Sequence, residues 1–265
     1  MKFLKWILSV SAAFILSINI CYAYDRVIIL SPAAADIFIK LGLNDKVVGV
    51  TKHVNGFENA IKVGSHLKPN LELILSLKPD FIIYSNNKFI SDYLKSLENI
   101  KTYEYDPTNV NEIFENIKTI ASIMNVSEKG EALINQLKHK LTNLKEPKRT
   151  AKVIYEITQA PYIVAGKNSV ISDIIEKAGG INIINIDKKL IKFSVEKTIS
   201  LKPDIYIYQI GPMNKNPTPP KDRIGFKDMD SVFIQVNELT FSRANTKTID
   251  AILYLNNIFY KWSLQ

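Results

Sequence analysis

Two histidines and two tyrosines stand where their chemistry would be useful. His53 follows the apolar run Val47–Val50, His66 follows Val63-Gly64, and Tyr84 and Tyr162 lie at the ends of β-branched runs. A neutral imidazole is a metal ligand. A phenol ring can stack on a flat macrocycle or, as phenolate, bind ferric iron. Each residue also has a plainer reading: a loop histidine in water, a tyrosine ring buried with its hydroxyl wet. No row of His, Asp and Glu is dense enough to enclose a bare ion, which needs several converging ligands. His139 lies in a long helical stretch and reads as solvated. Nucleophile elbows, phosphate-cradling glycine loops and HExxH helices are all missing, and Ala178-Gly-Gly-Ile follows a helix instead of opening one, so an exported enzyme is only a remote alternative.

The elements that must position these residues are short apolar runs alternating with amphipathic helices. Strands are expected at 27–30, 47–50, 81–84 and 102–105, with helices at 33–41, 71–77 and 88–98. The second half repeats the alternation, with strands near 152–157, 162–165, 182–186 and 205–209 and helices near 170–178, 195–201 and 247–261. Both halves are α/β. Loops leaving strand C-termini form the binding edge of such a lobe. That places Ser31, Pro32, Lys52, His53, Asn55, His66, Tyr84, Asn86, Tyr162, Gln209 and Arg243 as candidate ligand contacts.

One phrase occurs twice. Residues 70–85 (NLELILSLKPDFIIYS) and 194–209 (SVEKTISLKPDIYIYQ) agree at eight of sixteen positions, 124 residues apart. That is a domain-sized offset, so it predicts two similar lobes facing each other across a cleft. Asn70 and Ser194 read as helix N-caps, Glu72 and Glu196 as first-turn acids favoured by the dipole, and Lys-Pro-Asp as the exit into a buried strand. A looser echo relates Asp36-Ile-Phe-Ile-Lys-Leu-Gly42 to Asp173-Ile-Ile-Glu-Lys-Ala-Gly179, each a helix closed by glycine. Between the halves, helical spacing over 110–124 and 127–144, with Ser127 as N-cap, predicts a stiff connector. The divisions expected are a signal peptide over 1–23, an N-terminal α/β lobe over 24–126, a linking helix over 127–146 and a C-terminal α/β lobe over 147–265.

The leader reading rests on Lys2 and Lys5, the apolar run Ile7–Ile20 and the small residue Ala23, and the run is too short for a membrane span. Ile20 stands before Cys21 where lipoprotein signals carry a small side chain, which argues for a soluble exported protein over a lipid anchor. With no other cysteine, the rest of the chain has no disulfide and no thiolate metal site. The net charge of +8 falls to +6 without the leader, and comes from scattered lysines with no aromatic-laced basic cluster, so no nucleic-acid partner is expected.

Val27–Asp36 (VIILSPAAAD), Leu41-Gly42, Val47–Val50, Val63-Gly64, Ala178–Asn182 (AGGIN) and the two copies of the repeated phrase, in that order, resemble the periplasmic substrate-binding proteins of ABC importers for vitamin B12, ferric siderophores and haem. The resemblance covers essentially the whole chain after the leader. It implies two similar α/β lobes with central, mostly parallel sheets joined by one long backbone helix, a monomer that holds its ligand in the groove between the lobes. No intrinsic cofactor is implied. The cargo would be a metal chelate containing iron or cobalt, with a free metal ion or metal oxyanion as the alternative. Glu72 and Glu196 match the surface carboxylates that dock on the inner-membrane permease dimer, which would act with its own ATPase subunits as the partner of the chain. His53 falls in a ligand-contacting loop and is the candidate metal ligand. Arg243 falls where the family often has an Arg-Pro-Gly-Pro-Arg-like segment and would pair with a ligand carboxylate. The sequence here reads Arg-Ala-Asn-Thr-Lys, a departure that weakens the match. Trp262 is the only tryptophan outside the leader, so a tryptophan-lined corrin pocket is absent.

Overall fold

The structure, a computed structural model, describes residues 24–85 and 90–265. The expected signal peptide, with Cys21, and the candidate contact Asn86 lie outside those residues. The first lobe runs β1 (Val27–Ile29), α1 (Ala35–Lys40), β2 (Val47–Val50), β3 (Ile61–Lys62), α2 (Leu71–Ser76), β4 (Phe81–Tyr84), α3 (Asp92–Ser96) and β5 (Lys101–Glu104). Two helices follow, α4 (Val110–Ile123) and α5 (Ser127–Leu141). The second lobe comprises β6 (Ala151–Thr158), β7 (Ile163–Ala165), α6 (Val170–Lys177), β8 (Gly180–Asn182), β9 (Leu190–Lys192), α7 (Val195–Ser200), β10 (Ile205–Ile210), β11 (Val232–Asn237), α8 (Glu238–Phe241) and α9 (Lys247–Trp262).

The first sheet is wholly parallel in the order β3-β2-β1-β4-β5. Its central strands, VII and FIIY, are buried on both faces, which is why they read as unbroken apolar runs. The chain winds outward in both directions from β1 and β4, so the two connections diverge at their carboxyl ends and leave a crevice there. In the second sheet β11-β10-β6 are parallel, β8 pairs in parallel with the start of β6, and β7 and β9 continue the sheet through antiparallel pairings.

Asn70 and Ser194 do cap their helices, accepting the amides of Leu73 and Lys197 at 3.0 and 3.1 Å. Ser127 does not cap: Val126 holds the cap position and Ser127 is the first helical residue. The strand expected near 182–186 lies earlier, at β8, and a separate strand forms at 190–192, because Asn182 turns back to bond the Ile184 amide. Neither β3 nor β11 was anticipated. The helix expected over 88–98 is described only at Asp92–Ser96.

One apolar cluster runs through both lobes and the connecting helices, from Ile29 and Phe38 through Ile117 and Leu133 to Tyr155 and Phe259. Each sheet has a second, outer cluster of its own. At the turn between α4 and α5 the backbones approach closely. A Cβ added at Gly130 would lie 2.5 Å from the Ala121 side chain.

Candidate functional site

On the first lobe the strand ends are stitched to one another by their own backbones. The Ser31 amide donates to Ile83 at 3.2 Å, Thr51 to Ile29 at 3.1 Å and Lys52 to Gly64 at 2.8 Å. Gly64 turns the chain at φ +98°, where an added Cβ would meet the Lys68 carbonyl at 2.7 Å, so the loop bearing His66 folds back tightly on itself. Lys52, His53 and Asn55 stand exposed on the neighbouring loop, while Pro32 and His66 are half-buried. Burial holds the His66 imidazole below its ordinary pKa, and the charge of Arg243 on the other lobe, then His53, pushes the same way. Arg243 and His53 therefore both lie close enough to His66 to act on its charge.

The second lobe contributes the end of β10 and the turn into α8. Gln209 is fully buried; its Oε1 accepts the Tyr155 hydroxyl at 3.0 Å and the Ser242 hydroxyl. The Glu238 carboxylate accepts the Met213 amide at 2.7 Å, and burial raises its pKa although Arg243 opposes that shift. Half-buried Arg243 is itself pushed below its usual value by burial, against the pull of Glu238. Glu238, Ser242 and Asn214, whose Nδ2 donates to the Gln209 carbonyl at 2.8 Å, were not singled out in the sequence. The only local signal was Asn237-Glu238, an N-cap followed by an acid at the end of an alternating strand.

Three buried polar atoms have no hydrogen-bond partner among the described residues: Ser31 Oγ after β1, Thr51 Oγ1 after β2 and Gln209 Nε2 in β10. Leaving such an atom unpaired costs about 1–3 kcal/mol. Native interiors seldom tolerate it without a ligand or water. All three lie at strand carboxyl ends, two on one lobe and one on the other, the edge at which ligands of α/β sheets bind.

Other candidates are not brought to this place. Tyr84 is 8% exposed and packs in the outer cluster of the first lobe, where burial and Glu104 raise its pKa. The Tyr162 hydroxyl bonds Thr198 at 2.8 Å and Tyr206 at 3.2 Å within the outer cluster of the second. Glu72 and Glu196 are exposed on α2 and α7, and Glu196 accepts the Ser194 hydroxyl at 2.6 Å, which lowers its pKa. Among the described residues, no three His, Cys, Asp or Glu side chains converge on a point. A shallow groove of about 310 Å³ between α4 and α5 includes none of the strand-end residues.

A model of the periplasmic binding protein family matches residues 27–221. The vitamin B12-binding protein of Vibrio cholerae serotype O1 is 25% identical over 190 residues, 68% of this chain and 69% of that protein. The high-affinity haem uptake system protein IsdE of Staphylococcus aureus is 26% identical over 161 residues, 58% of this chain and 55% of that protein. The crystal structure of a periplasmic haem-binding protein from Pseudomonas aeruginosa superposes with a TM-score of 0.75 at 17% identity, covering 90% of this chain and 93% of that one, a likeness of fold alone.

Proposed function

Because the chain belongs to the periplasmic binding protein family, we propose that it captures a chelated-metal compound (haem, a cobalamin or a ferric siderophore) in the groove between its lobes and delivers it to an ABC importer. The observation that carries this reading is the set of unpartnered buried atoms on Ser31, Thr51 and Gln209, drawn from both lobes. Ligand groups or bound water reaching the strand ends of each lobe would satisfy them. His53, His66 and Arg243 add groups suited to a metal centre and to carboxylates at the ligand's edge. The relatives named for B12 and for haem support the ligand class. In this reading the chain binds and does not catalyse, acts as a monomer and works in the periplasm after loss of residues 1–23. No helix among the described residues is long and apolar enough to cross a membrane.

Calorimetric titration with haemin, cyanocobalamin and a panel of ferric siderophores tests the reading. Tight one-to-one binding of one of them is expected; refusal of all of them alongside tight binding of a free ion would overturn it. Glu72 and Glu196 serve delivery. Reversing both to Lys is expected to leave that affinity unchanged and to lower uptake, since charges at an interface rim govern encounter and register.

A further inference from the structure

The echo between Asp36–Gly42 and Asp173–Gly179 is a pair of helices, α1 and α6, each closed by a glycine in the left-handed region, at φ +70° and +90°. What the echo preserves, besides the helix, an isoleucine and a lysine, is an aspartate six residues before the glycine. In both helices that aspartate reaches across to the other lobe. Asp36 Oδ2 accepts the amide of Thr246 at 3.2 Å and also its hydroxyl; Thr246 is the cap residue of α9 and makes no side-chain cap of its own. Asp173 Oδ2 accepts the amide of Val110 at 2.8 Å. Val110 is the first residue of α4, whose own cap Asn109 is used on the Glu112 amide. The first helix of each lobe therefore supplies a carboxylate to the N-terminus of a long helix beyond its own sheet, α1 to α9 and α6 to α4. Both bonds join a negative charge to helix amides that have no intrahelical partner, the arrangement that the helix dipole favours.

We propose that Asp36 and Asp173 are positioning residues that fix the spacing of the two binding edges, holding the groove at one width whether or not it is filled. Asp36 lies five residues after Ser31 and Thr246 three residues after Arg243, so the first bond ties together the segments that present one ligand-facing group from each lobe. A companion bond reinforces it, from the buried Tyr105 hydroxyl to the Ala244 carbonyl at 2.6 Å. On the Asp173 side the companion is an ion pair between Lys189 and Asp106 at 2.6 Å. Because the two aspartates make separate ties, removing one leaves the other in place, and removing both frees the lobes to rock.

The test needs no ligand, so its failure leaves the capture reading standing. Spin labels on Lys68→Cys and Lys215→Cys, both exposed, in a Cys21→Ser background report the inter-lobe distance distribution by pulsed electron resonance. A narrow distribution is expected for the parent protein and at least a doubling of its width in Asp36→Ala/Asp173→Ala. Each single change should give less than half of that broadening. The Asn variants should stay near the parent, because an amide oxygen accepts the same bonds. An unbroadened distribution in the folded double variant overturns the proposal. Should that variant not fold, amide hydrogen exchange on the unaltered protein decides: Val110 and Thr246 are expected to exchange at least tenfold more slowly than Leu71, the first amide of α2, whose cap bonds Leu73 instead. Equal rates overturn the proposal.

Discussion

The two lobes share a sheet plan and part with it on their outer faces. Strand β1 sets Val27 beside Phe81, β6 sets Val153 beside Ile205, and Phe81 and Ile205 are the same position of the repeated phrase. Counting along, Leu30 and Glu156 occupy equivalent places, as do Ile82 and Tyr206. In the first lobe this ground is apolar, with Leu30 and Ile82 packed among Ile28, Val63, Ile74 and Leu94. In the second, fully buried Glu156 accepts the Tyr206 hydroxyl and both terminal nitrogens of Arg223, which is 8% exposed. The reason lies in what covers the strands. Helix α3 stands in the connection from β4 to β5 and satisfies its own backbone. The connection from β10 to β11, residues 211–231, contains no α-helix, and its carbonyls and amides need partners from elsewhere. Arg223 Nε takes the Thr218 carbonyl at 2.6 Å, and the Gln159 side chain takes the Thr218 amide at 2.7 Å. An irregular cover needs a charged anchor where a helix needs only oil.

The comparison breaks most visibly if the anchor's acid is copied into the wrong lobe. Leu30→Glu places a carboxylate at a site 3% exposed with no guanidinium to meet it, and a loss above about 4–5 kcal/mol, or failure to fold, is expected. Thermal and urea unfolding measure it. Arg223→Met strands Glu156 in its own lobe, for an expected loss of about 3–5 kcal/mol, most of which Glu156→Leu should restore in the double variant. A double variant as unstable as the single would mean that the anchor's charge itself stabilises the fold. The caps of the repeated phrase offer a smaller contrast: Asn70→Ala and Ser194→Ala should each cost about 1 kcal/mol, and only the second should bring the Glu196 pKa back up, by nuclear magnetic resonance titration. Smallest of all is a pH effect at the edge of the first lobe. His66 has a folded pKa below its ordinary 6.5, so as pH falls through that value the unfolded chain takes up a proton before the folded one does. Stability then declines as pH falls below 6.5 and is unaffected by this group above neutrality. His66→Gln should flatten that part of the stability curve, and an unchanged slope would show that the imidazole is not held as described.

The sequence carried the parts of this plan that are local. The two N-caps, the buried strands and the carboxyl-terminal placement of Ser31 and Gln209 follow from neighbouring residues and period. Strand β11 was missed because VFIQVN, though alternating, stands alone after a long polar stretch. The Glu156–Arg223 anchor joins positions 67 residues apart with no pattern at either end. Tyr84 and Tyr162 looked like pocket walls because strand ends alone do not say which face a ring takes. The echoed aspartates were visible in the sequence as a repeat, but their partners on the opposite lobe were not.

The bond between Asp36 and Thr246 closes a loop of 210 residues. Ordering so long a stretch before any reward is entropically slow. While the chain is being assembled from its beginning, α1 must wait with its carboxylate unclaimed until the last helix arrives. The groove therefore acquires its final width only in the closing act of folding. A partly synthesised or C-terminally clipped chain could hold a complete first lobe and still have no calibrated place for a ligand.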